Sequence, residues 1–190
     1  MNFNIIGAGT WGIAFANLLS FNGYNVKVLH RNSLKTLNLI RNSEHPDLFG
    51  YKISKKIQYT DNFQDLNSNN ITILAIPSNS ISEFISSNNL FNFRIVLLSK
   101  GFDCKSGMLI SELLTNNYNY NINNIAVLSG PNHAEEIIKK NPTASIIAST
   151  SKLLRDNLQS NFSNNFFRLY TTNDIIGVQI GGAVKNVIAI

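Results

Sequence analysis

The chain has 190 residues, of which 44% are hydrophobic and 14% are charged, and its formal net charge is +5. This length allows one domain with a full hydrophobic core but is too short for two large domains. No apolar run approaches the roughly 20 residues of a membrane span. The Lys and Arg residues are scattered, which disfavours nucleic acid and suits small phosphorylated ligands. One cysteine, Cys104, excludes a disulfide and a thiolate metal cluster. With no visible signal peptide, we expect a cytoplasmic protein without a metal site.

Strand-like and helix-like segments alternate along the chain. The strand-like runs are short and rich in Val and Ile, at Phe3–Ile6, Asn25–Leu29, Ile71–Ile76, Arg94–Leu98, Ile125–Leu128, Thr143–Ala148 and Phe166–Tyr170. Helix-compatible stretches lie between them, at Trp11–Phe21, Leu34–Arg41, Ser80–Ser86, Gly107–Thr115, Ala134–Lys140, Ser151–Gln159 and from Asp174 onward. Residues 42–62 are predicted to be an irregular loop. The alternation predicts an α/β, Rossmann-like fold with a doubly wound, mostly parallel sheet.

The first candidate site follows the first strand and reads Gly7-Ala-Gly9-Thr10-Trp11-Gly12. Gly7 permits a tight turn, Gly9 lets the backbone approach a pyrophosphate, and Gly12 lets the helix pack on the strand. The N-terminus of the following helix offers free N–H groups to an anion. A strand before this motif and a helix after it predict a dinucleotide-binding turn, in which Thr10 and Trp11 are the other expected contacts.

The second strand ends without the acidic residue that usually binds the ribose of NAD. Its end reads Val28-Leu-His30-Arg31-Asn32. An arginine at this place can pair with a 2′-phosphate, and the missing carboxylate removes a repulsion against NADP. Arg31 therefore predicts a preference for NADPH, and the alternative is a solvated charge at a strand end.

Two later strand ends carry polar residues where ligands bind in open α/β sheets. Lys100 follows the apolar run that begins at Val96, so it is either a contact to a phosphate or cofactor or an ordinary solvated lysine. The next strand leads into Gly130-Pro-Asn132-His133-Ala134, which offers backbone N–H groups and an amide to a polar substrate. His133 is either a general acid or, more commonly for a lone histidine on a turn, a structural or solvated residue.

The chain closes on an apolar run that holds one lysine, Lys185, beside Asn186. A lysine among Gly, Ala, Val and Ile either extends its ammonium to solvent or lies in a partly desolvated site. In the second case its pKa can fall enough for acid–base chemistry. Lys185 is therefore a candidate catalytic residue.

The sequence resembles the bacterial NAD(P)-dependent glycerol-3-phosphate dehydrogenases from Phe3 to Ile190. The matching motifs are Ile6 to Gly12, Ser99-Lys-Gly101, Ser129-Gly-Pro131, Pro142-Thr-Ala144 and Ile176 to Ile190, where Lys185 and Asn186 are adjacent. The resemblance implies an oxidoreductase that transfers hydride reversibly between NAD(P)H and C2 of dihydroxyacetone phosphate. The product would be sn-glycerol 3-phosphate for phospholipid synthesis.

The resemblance also implies roles for individual residues. Lys185 would be the acid–base residue, and Lys100 would contact both cofactor and substrate. Gly130 and Asn132 would lie on the substrate side with Lys185, and Ala134 on the cofactor side. Family members commonly have Thr or Ser where Asn132 stands, so this position departs from the pattern.

By resemblance, residues 1–173 form the dinucleotide-binding domain and residues 174–190 begin an interdomain helix. That helix would lead to a helical substrate domain that is absent from the sequence. Three alternatives stay open: a truncated dehydrogenase, a split enzyme completed by a separate C-terminal half, and a cofactor-binding module without turnover. The expected partners are a phosphorylated triose and a second copy in a homodimer or that separate half. We expect the chain alone to bind dinucleotide without measurable reduction of dihydroxyacetone phosphate.

Overall fold

A computed structural model of the chain describes residues 1–31, 43–90 and 93–188, with side chains up to residue 185. Its strands are β1 (Asn2–Ile6), β2 (Asn25–Leu29), β3 (Gln58–Thr60), β4 (Ile71–Leu74), β5 (Arg94–Leu97), β6 (Ile125–Ser129), β7 (Thr143–Ala148) and β8 (Phe167–Thr172). They form one sheet in the order β3-β2-β1-β4-β5-β6-β7-β8. Neighbouring strands are parallel, except that β6 and β7 are antiparallel. The predicted mostly parallel sheet is confirmed.

Helices cover both faces of the sheet. The α-helices are α1 (Thr10–Phe21), α2 (Ile81–Ser87), α3 (Ile110–Tyr118), α4 (Ala134–Ile138), α5 (Lys152–Phe162) and α6 (Ile175–Ile188). Side chains of α1, α4 and α5 enter one hydrophobic core, and those of α2, α3 and α6 enter a second. Within the described ranges, no helix combines the length and apolarity needed to cross a membrane.

The central strands are largely apolar on both faces, because successive side chains point to opposite faces of the sheet and helices cover both of them. The buried polar residues Asn4 and Thr72 are paired, since Asn4 Nδ2 donates to Thr72 Oγ1 at 3.0 Å. Ile5 on β1 and Ile73 on β4 are buried in the first core, with α1. Their neighbours Ile6 and Leu74 are buried in the second core, with α2. This pattern is the reason why short runs of Val, Ile and Leu predicted the strands.

The structure corrects the sequence interpretation of residues 42–62. Residues 42–62 were expected to be irregular, but they contain β3, which pairs with the edge of β2. This strand lacks an apolar run because it lies at the edge of the sheet and is only partly buried. The predicted helix at residues 34–41 lies outside the described residues.

The order of the strands places a crevice beside β1. From β1 the chain builds outward through β2 and β3, then crosses to the other side of β1 to form β4. Gly7 N donates to Leu29 O at 3.0 Å and Ala75 N donates to Ile6 O at 2.8 Å, so the ends of these strands are held together. In open α/β sheets, ligands bind at the carboxyl ends of the strands where the order reverses.

Candidate functional site

A glycine turn connects β1 to α1 at this crevice. Gly7 has a φ of +111°, and a Cβ there would lie 2.6 Å from Ala75 O. A Cβ on Gly12 would lie 2.1 Å from Gly7 O, so the first turn of α1 packs directly on the loop. Gly9 caps α1 in extended conformation, and no side chain caps this helix end. The N–H groups at the start of α1 can therefore bind an anion.

Trp11 links the glycine turn to the end of β5. Its ring is partly buried against the first core, and Lys100 Nζ lies 5.9 Å from the ring centroid. The indole Nε1 is buried and has no hydrogen-bond partner among the residues that the structure describes. The ammonium of Lys100 thus lies within the distance of a cation–π interaction with the indole ring.

The side chains of Lys100 and Lys185 meet between the end of β5 and α6. The pKa of Lys100 is lowered to about 8, chiefly by burial. The charge of Lys185 and a hydrogen bond with Lys185 lower it further. Gly182 lets α6 pack closely against the end of β6 beside these lysines, since a Cβ there would lie 2.7 Å from Ser129 Oγ. Two neighbouring amines in a half-buried site can bind an anion and move a proton.

A cleft of about 650 Å³ opens beside these lysines. Its walls come from the end of β6 and the following loop, from β7, and from one face of α6, and they comprise Ser129, Gly130, Pro131, His133, Ile146, Gly177, Val178, Gly181, Gly182 and Lys185. The α6 face contributes little bulk because three of its lining residues are glycines. A small polar ligand in this cleft would therefore contact backbone and the amine of Lys185.

The structure places other candidate residues at the rim of the site or away from it. The Asn132 side chain is 3% exposed, does not line the cleft and donates from Nδ2 to Ser145 Oγ. Its Oδ1 is buried without a partner in the described part of the chain. The exposed His133 lines the cleft, and its backbone N–H donates to Glu136 Oε2 at 2.9 Å, which caps α4. Ala134 begins α4 and packs against the core that contains α1.

The predicted ribose contact, Arg31, lies at the end of β2. Arg31 is exposed just beyond β2, next to the residues that are not described. His30 N donates to Thr60 O at 2.9 Å, so the backbone before Arg31 is held against β3. The Asn186 side chain lies outside the described residues.

Sequence reasoning missed His45, a buried residue that contacts the glycine turn. His45 Nε2 lies 3.1 Å from Ala8 O, and the side chain belongs to the loop between β2 and β3. A lone histidine in an irregular stretch gave no signal of this contact, because the loop and the turn are far apart in sequence. Ser129 was also missed as a side chain of the cleft, although its motif was recognised.

The free energy of unfolding is expected to rise with pH between about 8 and 10.5, and Lys100→Met should abolish this rise. Folding lowers the pKa of Lys100 from 10.5 to about 8. Between these values the unfolded chain binds more protons at this residue than the folded chain, so the free energy of unfolding increases with pH. The penalty for burying the charged amine is complete below pH 8, and Lys100→Met relieves it there. Urea unfolding across this pH window measures the effect.

Lys56→Met is the matched control, because Lys56 is an exposed lysine far from the cleft in sequence. It should keep the pH dependence of the original chain. Burial raises the pKa of Tyr59 to about 12, which lowers stability at still higher pH in every variant and cancels in the comparison. Equal slopes for Lys100→Met and the original chain would contradict the proposed environment of Lys100.

The chain is similar to known dehydrogenases along its whole length. A family model described as NAD-dependent glycerol-3-phosphate dehydrogenase N-terminus matches residues 2–154. Glycerol-3-phosphate dehydrogenase [NAD(P)+] of Thermotoga sp. strain RQ2 is 36% identical over 190 residues, which are all of this chain and 57% of that protein. The protein of the same name from Macrococcus caseolyticus is 36% identical over 198 residues, covering 100% of this chain and 59% of the relative.

A solved structure shows the same fold. The crystal structure of glycerol-3-phosphate dehydrogenase from Coxiella burnetii superposes with a TM-score of 0.88 at 26% sequence identity. The match covers 99% of this chain and 58% of that chain. The chain therefore spans less than two thirds of the length of these relatives.

Proposed function

Because the chain belongs to the NAD-dependent glycerol-3-phosphate dehydrogenase N-terminal family, we propose that it binds NAD(H) or NADP(H) at the glycine turn. We further propose that it contributes to the reversible reduction of dihydroxyacetone phosphate to sn-glycerol 3-phosphate. One observation carries this proposal: Lys100 lies beside Lys185, which lines the cleft, and 5.9 Å from the ring of Trp11 at the N-terminus of α1, which has no side-chain cap.

The residues of the turn fit a dinucleotide. A Cβ on Gly9 would have no atom within 4 Å, so open space lies where a pyrophosphate would approach the backbone. The N–H groups at the start of α1 would bind the phosphate oxygens. Lys100, which lies near both Trp11 and Lys185, would stand between the cofactor and the cleft. When bound, the nicotinamide of the cofactor supplies or accepts the hydride.

Lys185 would act as the general acid and base of this reaction. During reduction its ammonium would donate a proton to the oxygen on C2 of the triose, and during oxidation its amine would remove the hydroxyl proton. Lys100 would stabilise negative charge on the substrate beside Lys185, and an anion there would favour the charged form of Lys100. The backbone at Gly130 would form the opposite wall of the cleft.

We also propose that the dinucleotide-binding domain ends near residue 173 and that α6 begins the connection to further chain. α6 has two roles in this arrangement. Its first turns pack against the domain, since Ile175 is buried in the second core and the Gln179 side chain forms hydrogen bonds with Ser111. Its later turns carry Gly182 and Lys185 to the cleft.

Trp11 provides a direct test of cofactor binding, because it is the single tryptophan of the chain. Bound NADPH should quench its emission through energy transfer to the reduced nicotinamide. Turnover is measured in a chimera in which the region of the Thermotoga relative beyond the matched part follows residue 190. We expect saturable quenching by the chain and oxidation of NADPH by dihydroxyacetone phosphate in the chimera. Absence of quenching would contradict the cofactor site, and quenching without turnover in the chimera would favour a binding module.

Replacing Arg31 with Asp is expected to weaken NADPH binding selectively. The substitution removes a charge-assisted contact to the 2′-phosphate and adds a repulsion, which costs about 1–3 kcal/mol of binding free energy. NADH should be affected much less, because its ribose carries no phosphate. Dissociation constants for both cofactors, measured through Trp11 fluorescence, give the ratio.

Arg94→Asp is the control for this charge reversal, because Arg94 begins β5 at the amino end of the strand, whereas Arg31 follows the carboxyl end of β2. It should leave the ratio of the two dissociation constants unchanged. If Arg31→Asp also leaves that ratio unchanged, another group near the end of β2 distinguishes the two cofactors.

A further inference from the structure

We infer that His45 is a positioning residue for the dinucleotide site, because it fixes the peptide of the glycine turn that faces the pyrophosphate. This inference rests on the proposed function, since it concerns the same site. His45 lies on the loop between β2 and β3 and is 7% exposed. It would not touch the cofactor itself but would act through Ala8.

The hydrogen-bond partners of the His45 imidazole ring determine which of its nitrogens carries the proton. Asp47 N–H donates to Nδ1 at 3.1 Å, so Nδ1 carries a lone pair rather than a proton. The proton is therefore on Nε2, which donates to Ala8 O at 3.1 Å. Asp47 Oδ2 is 3.9 Å from the same Nδ1. A ring nitrogen that accepts a hydrogen bond from Asp47 N–H is not the cation of an ion pair with the Asp47 carboxylate.

The direction of the Ala8 carbonyl decides where the next N–H group points. The peptide between Ala8 and Gly9 is planar and trans, so its C=O and N–H groups point in opposite directions. Because His45 holds Ala8 O on its own side, the Gly9 N–H points away from His45. Gly9 caps α1, so this N–H belongs to the group of donors at the helix start.

The loop that carries His45 has a second anchor on α1, away from the turn. Ser54 N donates to Asn17 Oδ1 at 2.9 Å, and Ser20 Oγ donates to Ser54 Oγ at 2.7 Å. The Ser54 contacts hold the loop against α1, whereas the His45 contact holds it against the glycine turn before that helix. Loss of the Ser54 contacts should therefore loosen the loop without turning the Gly9 N–H.

This difference gives a matched set of variants for measuring NADH affinity through Trp11 fluorescence. His45→Leu removes the bond to Ala8, and we expect a loss of affinity of about tenfold, the upper range for one hydrogen bond. His45→Gln, which can still donate to Ala8 and accept from Asp47, should stay within about twofold of the original chain. Ser54→Ala should lower the melting temperature but leave NADH affinity unchanged. The Ser54 hydroxyl forms a hydrogen bond with Ser20 on α1 and makes no contact with the glycine turn.

The outcomes separate this inference from the function on which it rests. If the unsubstituted chain does not bind NADH, the proposed function is overturned and the inference with it. If that chain binds NADH but His45→Leu binds equally well, or Ser54→Ala weakens binding as much, the inference alone is overturned. Should His45→Leu fail to fold, His45→Asn replaces it. Its shorter amide cannot reach both partners, and it is expected to show the same loss.

Discussion

Replacing Lys185 with Met is expected to lower turnover of dihydroxyacetone phosphate by about 100-fold or more, with nearly unchanged NADPH affinity. Methionine keeps the length and apolar stem of lysine but can neither donate a proton nor carry charge. Lys185 lines the cleft on α6, whereas the turn that would bind the pyrophosphate lies at the end of β1. The chimera described above gives turnover rates, and Trp11 fluorescence gives the dissociation constant.

Lys56→Met again serves as the control, since it removes an exposed lysine outside the cleft. Its turnover should equal that of the unsubstituted chimera. A loss of NADPH affinity as large as the loss of turnover in Lys185→Met would show that this lysine has a structural role. A variant with normal turnover would remove Lys185 from the mechanism.

Gly9→Ala and Gly12→Ala are expected to damage the cofactor site in different ways. Gly9 has a φ of −74° and open space around a new Cβ, so alanine fits the fold there. The added methyl would occupy the approach to the backbone, and we expect NADPH affinity to fall by about tenfold or more. A Cβ on Gly12 would collide with Gly7 O at 2.1 Å. That collision should destabilise the fold by about 1–3 kcal/mol.

Urea unfolding and cofactor titration on both variants distinguish these effects. Gly9→Ala should keep its free energy of unfolding within about 0.5 kcal/mol of the original value. Gly23→Ala provides a control for backbone strain, since Gly23 has a φ of +90° in a turn away from the site. It should lose stability and retain NADPH affinity. Normal NADPH binding by Gly9→Ala would contradict a pyrophosphate site at this turn.

Most of the sheet could be predicted from the sequence because strands buried on both faces leave continuous apolar runs. Asn25–Leu29 and Thr143–Ala148 were predicted with the bounds that the structure has. The short polar strand β3 could not be predicted, because its pairing depends on the free edge of β2. The antiparallel arrangement of β6 and β7 was not predicted either, since an apolar run carries no information about its direction.

The family could also be predicted, and the family match confirms the resemblance inferred from the motifs. The glycine turn, Lys100 and Lys185 stand in recognisable local patterns, and their proposed roles stay predictions. The orientation of Asn132 toward Ser145 could not be predicted, because it depends on the packing of β7 against the loop after β6. His45 contacts Ala8 across 37 positions of sequence, and only the folded loop brings them together.

A crystal structure of the chain grown with NADPH is the most direct test of the dinucleotide site. Pyrophosphate oxygens within hydrogen-bonding distance of the N–H groups at the start of α1 are the expected result, with the nicotinamide facing Lys100 and Lys185. A dinucleotide bound elsewhere on the sheet, or with its pyrophosphate away from the glycine turn, would contradict the proposed function.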